Sequence, residues 1–230
     1  MSDKPVLDNQ FHKDSINALK TLDPTLVMIF GFESTHYRSL AANILCLSGE
    51  LENAIHIPKE PMLAAIRVQW WYDTLADTDT THQDNVAPLV VRLQKHILNE
   101  DIKRDDILRL IEAWQTCALD ETASSTDACS LCWQLIWQYL GDDDTGKSSQ
   151  NIAYFLHGKR TSNHAVMLTL DNSFFGTLRK QVQHNRHWWL YFAAIIGYHK
   201  HRDSHDILDQ EHLLMWRLLR WRLFGFKLPD

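Results

Sequence analysis

Apolar residues recur along most of this chain at the three- and four-residue spacing that is typical of amphipathic helices. Between residues 161 and 184 the pattern is irregular, and no helix is predicted there. The fold class is predicted to be all-α. The helical windows are residues 12–22, a buried piece after Pro24, 37–55, 61–77, 88–98, 101–114, 126–140, 152–160, 185–196 and 212–227.

The composition supports this class. The 230 residues include only eight Gly and six Pro, which argues against a turn-rich β protein. Nine Trp are an unusual number and predict an aromatic core. The length suits one domain with a substantial core, so we expect an N-terminal segment over residues 1–19 and a single helical domain over residues 20–230.

Charge and targeting signals narrow the function classes. The formal net charge is −6, which disfavours nucleic acid as a partner, because binding to its phosphate backbone needs a basic footprint. Residues 1–19 have neither the apolar run of a secretory signal nor the Arg-rich composition of a transit peptide. No window has the run of about 18 apolar residues that a membrane span requires. We therefore expect a cytoplasmic protein or the mature form of an organellar one.

The cysteines are scattered, with Cys129 and Cys132 the only close pair. This pair has the spacing of metal ligands, but no second such pair or His pair accompanies it. Apolar residues surround both positions, so we predict buried thiols in a helix.

Acidic and imidazole side chains offer several candidate metal sites. Asp73 and Asp77 lie four residues apart, so on a helix both carboxylates project from the same side and can share a divalent cation. Acidic residues in the first turn of a helix, where the helix dipole favours them, account for Asp101 and Asp105. The remaining candidates are the loop acids at residues 142–144, expected to be solvated, and His199, His201 and His205, which fall on different helical faces.

The C-terminal stretch over residues 212–227 is basic, aromatic and apolar in an otherwise acidic chain. Such a segment can lie in a membrane interface or dock on a partner. Alternatively, it is a last core helix with a cationic outer face. The candidate contact residues are Trp216, Arg217, Arg220, Trp221 and Arg222.

The stretch over residues 66–75, IRVQWWYDTL, resembles the squalene/phytoene synthase family, whose members often carry Arg-x-Gln-Trp-Trp-x-Asp-x-Leu at this place. The upstream window, with Arg38 and Glu50 ahead of Pro61, is similar to the family's first long helix. The resemblance implies an isoprenoid-synthase-like helical bundle, here in a shortened form. The residues that match the family's signature are Arg38, Glu50, Arg67, Gln69, Trp70, Trp71 and Asp73.

Active members of that family use two Asp-x-x-x-Asp motifs to hold Mg²⁺ on prenyl diphosphates, which ionise and join. This chain departs from both motifs. Glu50 stands at the first acid of the first motif, but Ala54 occupies the second position. The best match to the second motif, residues 152–160, has no carboxylate. The low-ranked catalytic candidates are therefore Glu50, Asp73 and Asp77.

In lacking these carboxylates, the chain resembles a divergent branch of the family that includes a mitochondrial complex I assembly factor. The resemblance implies a non-catalytic scaffold without a cofactor, which contacts either subunits or assembly factors of a respiratory complex or the inner membrane. One alternative is a Mg²⁺-dependent prenyl transferase with a site rebuilt from Asp73 and Asp77, together with Asp101 and Asp105 or residues 142–144. Another is a protein that binds a prenyl lipid. In each case the tryptophans of residues 61–77 are expected to pack the core.

Overall fold

Every regular element that the computed structural model describes is an α-helix, which confirms the all-α prediction. The described residues are 8–58, 60–77, 86–120, 123, 125–140, 172–185, 188–201 and 211–226. In chain order the helices are α1 (Asn9–Leu22), α2 (Pro24–Ile29), α3 (Thr35–His56), α4 (Pro61–Ala76), α5 (Pro88–Leu98), α6 (Arg104–Leu119), α7 (Ser125–Leu140), α8 (Asn172–Asn185), α9 (Trp188–His201) and α10 (Glu211–Phe224).

Short polar side chains and prolines set the helix starts. An Asp8 carboxylate oxygen accepts from the backbone N–H of Phe11 at 2.8 Å and caps α1. Asp23 does the same for Thr25 at 2.8 Å, directly before Pro24 opens α2. Each cap satisfies a backbone donor that has no partner inside its helix, and proline loses nothing at the first helical position.

Helix α3 lies at the centre of the first half of the chain. It packs against α1, α4, α5, α6 and α7, and every side chain from Ser39 to Ser48 is buried. Helix α1 crosses residue 20, where the sequence predicts the main domain to begin, and packs along α3 as one continuous helix. The central part of α3, from Ser39 to Ser48, is thus buried on all sides.

An aromatic stack joins the two halves of the chain. Trp189 of α9 stacks on Phe30, which follows α2, with ring centroids 5.7 Å apart, and on Trp133 of α7 at 6.1 Å. Phe30 and Trp133 also stack on each other at 6.3 Å, and all three rings are almost completely buried. Trp133 and Trp189 thus pack the core at the place where the early and late helices meet, and Trp71 of α4 belongs to the same core.

Helix α8 covers residues for which the sequence predicts no helix, so the prediction was wrong from residue 172 to residue 184. Phe175, Leu178 and Val182 are buried at spacings of three and four residues, on one face of an otherwise polar helix. That stripe is only one residue wide, which is why the pattern looked irregular. Residues 161–171 and the predicted helix over residues 152–160 lie outside the described residues.

None of the helices in the described ranges combines the length and the apolarity needed to cross a bilayer.

Candidate functional site

Helix α4 is apolar on two faces. The buried face consists of Ala64, Val68, Trp71 and Leu75, which recur at helical spacing against α6 and α3. A second face points to solvent, and its residues keep much of their surface exposed. We call it the outer α4 stripe: Met62 (71% exposed), Leu63 (49%), Ile66 (58%) and Trp70 (46%).

This arrangement corrects the expectation that both tryptophans of α4 pack the core. Trp71 is 8% exposed and packs in the core, as expected, but Trp70 does not. Ala64 and Val68 lie on the buried face with Trp71 and Leu75, and α4 packs against α6 and α3. The signal for the outer stripe was present in the sequence, because Met62, Ile66 and Trp70 are spaced by four residues.

The three acidic catalytic candidates are all exposed. Asp73 accepts a hydrogen bond from Gln69 at 2.7 Å, and Gln69 in turn accepts one from Gln115 of α6 at 2.6 Å. Asp77 ends α4, and Glu50 lies on the exposed side of α3. Asp73 and Asp77 therefore face solvent at the edge between α4 and α6.

The acidic residues at the start of α6 make contacts within their own surroundings and do not join Asp73 and Asp77. Asp105 is exposed in the first turn of α6, as the helix dipole favours. Its neighbour Asp106 is buried and accepts hydrogen bonds from Tyr139, Gln138 and Arg109. Across the described residues no three His, Cys, Asp or Glu side chains are grouped as metal ligands. The loop acids at residues 142–144 lie outside the described ranges.

The family-signature residues on α3 and α4 differ in burial. Arg38 is half-buried on α3, and its Nε is buried without a hydrogen-bond partner. Arg67 is exposed on α4. Ala54, which stands where the first acidic pair would end, is buried at 7% exposure against the core.

Sequence reasoning missed a cluster of three histidines and one aspartate from α1, α3, α5 and the turn after α5, of which His96 is buried and the other three are partly exposed. His96 is fully buried, and its Nδ1 lies 2.8 Å from an Asp101 carboxylate oxygen. His36 Nε2 lies 3.4 Å from the other oxygen of Asp101, and the His12 ring is 6.5 Å from that of His36. Residues this far apart in sequence leave no spacing signal.

Burial governs the chemistry of His96. Desolvation lowers its pKa, although the hydrogen bond to Asp101 acts in the opposite direction, and the nearby His36 and His12 lower it further. The buried Nε2 has no hydrogen-bond partner, so protonation would place an unsatisfied N–H in the interior. His96 is thus held neutral, with its Nδ1–H directed at Asp101.

The cysteine prediction is confirmed. Cys129 and Cys132 lie buried in α7 as thiols rather than as halves of a disulfide. Burial raises the pKa of Cys132 to about 12, so it stays protonated. His199 is buried with its ring stacked on Trp221 at 5.6 Å, whereas His205 lies outside the described residues.

The C-terminal candidates divide between two faces of α10. Trp221 and Arg222 turn inward: the guanidinium of Arg222 lies 4.8 Å from the ring centroid of Phe32 and 5.1 Å from that of Trp188. Burial raises the pKa of the neighbouring Glu33 to about 7, while a hydrogen bond from the Trp189 backbone and the charge of Arg222 lower it. The outer face of α10 is apolar as well as cationic, unlike the purely cationic face that a simple core helix would show. Its exposed residues are Leu213, Trp216, Arg220, Leu223 and Phe224, with Arg217 half-buried beside them.

Comparison of the chain with protein-family models, with curated proteins and with solved structures finds no match.

Proposed function

We propose that this chain is a non-catalytic helical scaffold that docks another protein through the outer α4 stripe. The observation that carries the proposal is the exposure of Met62, Ile66 and Trp70 along one helical line. Single exposed apolar residues are common, but a contiguous apolar row on a regular helix is typical of an interface. Tryptophan at one end of such a row is a frequent energetic anchor.

The placement of the acids supports a role without prenyl transfer. Ionising a prenyl diphosphate needs two carboxylate pairs that face one cavity. Glu50, Asp73 and Asp77 all face solvent, and Ala54 offers no oxygen at the second position of the first motif. The resemblance noted in the sequence points to a respiratory complex under assembly as the source of the partner.

The first experiment places a photo-crosslinking amino acid at Ile66 in the full chain, with a matched probe at the exposed Lys13 of α1. We expect the Ile66 probe to capture one discrete protein, identified by mass spectrometry among respiratory-complex subunits and assembly factors, and the Lys13 probe to capture none. Ile66→Asp should then weaken that complex at least about tenfold, because a buried isoleucine contributes roughly 1.5–3 kcal/mol.

Two results would contradict this function. One is Mg²⁺-dependent release of pyrophosphate from farnesyl or geranylgeranyl diphosphate by the purified chain. The other is equal capture by the Ile66 and Lys13 probes, which would show that the outer α4 stripe has no specific partner.

A further inference from the structure

Helix α10 has more apolar surface than the fold uses. Leu214 and Leu218 are fully buried on its inward face, and Trp221 stacks on His199. The inward contacts are therefore already made. The side chains that remain on the opposite face are Leu213 (40% exposed), Trp216 (70%), Leu223 (61%) and Phe224 (77%).

Positive charge coincides with this leftover apolar surface. At about 100° per residue, Arg217 and Arg220 fall on the same arc of the helix as Trp216 and Phe224. No acidic residue occurs between residues 212 and 226, although the whole chain has a net charge of −6. The outer α10 face thus combines exposed aromatic rings with local positive charge on an otherwise acidic protein.

The backbone polar groups at the C-terminal end of α10 are hydrogen-bonded by the protein itself, as a poorly hydrated environment requires. Helix ends leave backbone carbonyls without partners inside the helix. Here Arg179 of α8 donates to the carbonyls of Arg222 and Leu223 at 3.2 and 2.7 Å, and the Phe226 N–H donates to the Tyr191 hydroxyl at 2.7 Å. These bonds satisfy polar backbone groups next to Phe224, the most exposed ring of the face, without the help of water.

We propose that the outer α10 face binds the surface of a bilayer that contains anionic lipids. Trp216 and Phe224 lie eight residues apart, which is about 12 Å along the axis, so both rings can enter one flat surface together. Aromatic rings favour the boundary between headgroups and acyl chains, and arginine binds lipid phosphates. Each arginine near such a surface strengthens binding about fivefold.

A protein groove fits this face less well. Arg220 stands between Trp216 and Phe224 along the helix, so a protein partner would have to bury its charge among apolar contacts and supply a matching acid there. At a membrane the long arginine side chain reaches the phosphate layer while the rings insert beside it. The charge pattern is therefore complementary to a lipid surface along the whole face.

The test is sedimentation of the full chain with vesicles of phosphatidylcholine that contain about one third phosphatidylglycerol, compared with pure phosphatidylcholine. We expect salt-sensitive binding to the anionic vesicles and much weaker binding to the neutral ones. The double variant Trp216→Ser/Phe224→Ser should bind at least about tenfold more weakly. Arg220→Gln should lose about fivefold, on anionic vesicles only.

Tyr37→Ser is the matched control, because it removes an exposed aromatic side chain from α3, outside both proposed binding surfaces, and should leave vesicle binding unchanged. Circular dichroism checks that each variant keeps its helices. If the double variant does not fold, the loss expected for Arg220→Gln still tests the proposal. The proposal is overturned if the wild type does not bind anionic vesicles, if it binds neutral ones equally well, or if Tyr37→Ser weakens binding as much as the double variant. Self-association that the double variant abolishes, without vesicle binding, would assign the face to a second copy of the chain instead.

Discussion

His96 shows how one buried side chain can make the stability of this fold depend on pH. Its pKa is lowered in the folded chain, whereas in the unfolded chain it returns to about the ordinary value of 6.5. As the pH falls below about 6.5 the unfolded chain therefore binds a proton that the folded chain resists. The free energy of unfolding should fall from pH 7.5 to about pH 5.5.

The variant His96→Gln isolates this effect from the other titrating groups. We expect it to lose less stability than the wild type over the same pH range, because glutamine does not titrate. Urea denaturation at both pH values measures the difference. A wild type that gains stability relative to His96→Gln on acidification would show that the bond to Asp101 outweighs burial and raises the pKa.

Single residues also show where prediction from sequence works and where it stops. The acids at 101 and 105 were assigned together to a first helical turn, which is right for Asp105. Asp101 instead lies before α6, where it pairs with His96. The exposure of Asp105 follows from local helix electrostatics. The partner of Asp101 is His96, five residues earlier near the end of α5, and the two meet because the chain turns between α5 and α6.

Glycine in the middle of α3 gives a prediction at the scale of one helix. A Cβ added at Gly49 would meet the Leu22 side chain, with its Cδ1 at 2.9 Å. Leu22 is 43% exposed at the end of α1, so its methyl groups can turn away into solvent. The stabilisation from replacing a glycine inside a helix should then exceed the cost of moving Leu22. We expect Gly49→Ala to stabilise the protein by about 0.5–1 kcal/mol.

The urea midpoint of Gly49→Ala, compared with that of the wild type, measures this gain. Gly49→Leu serves as a control, because a side chain that cannot fit beneath Leu22 should destabilise the fold. If Gly49→Ala were itself destabilising, the contact between α1 and α3 would be too rigid at this point to accept a methyl group.

At the same scale, α4 explains why its buried face was assigned wrongly. Helical spacing identifies apolar lines on a helix, and α4 has two of them. Which of the two apolar lines is buried depends on where α6 packs. The sequence of α4 does not indicate the position of α6. Both tryptophans were expected inside, but only Trp71 is buried, together with Ala64, Val68 and Leu75. The existence and bounds of α4 were predictable, while its orientation was not.

For the whole molecule, Trp189 is the side chain that links the early and late helices most directly. It contacts Phe30, Trp133 and Trp137 within one stack. Trp189→Ala should therefore destabilise the fold by about 3–5 kcal/mol, the usual effect of removing a buried tryptophan. Urea denaturation followed by circular dichroism measures the change.

Trp216→Ala is the control for this experiment, because its side chain is 70% exposed and its removal should change stability by less than about 0.5 kcal/mol. Similar losses from both variants would mean that the aromatic stack contributes no more than surface tryptophans do. A small effect of Trp189→Ala alone would indicate that the early helices fold without the late ones.

The all-α class followed from composition and periodicity, which average over many residues. The joining of the two halves through Trp189 did not follow, because it depends on which faces meet across more than a hundred residues. The family resemblance rests on a short stretch of α4 and stays a prediction.

The exposed apolar surfaces of α4 and α10 also affect how readily copies of the chain associate with one another. An unoccupied chain offers Trp70 and Phe224 to any neighbouring molecule, including other copies of itself. The net charge of −6 provides the opposing repulsion between copies, and this repulsion weakens as salt is added. The solubility of the isolated chain therefore rests on long-range charge, and raised ionic strength favours its clustering.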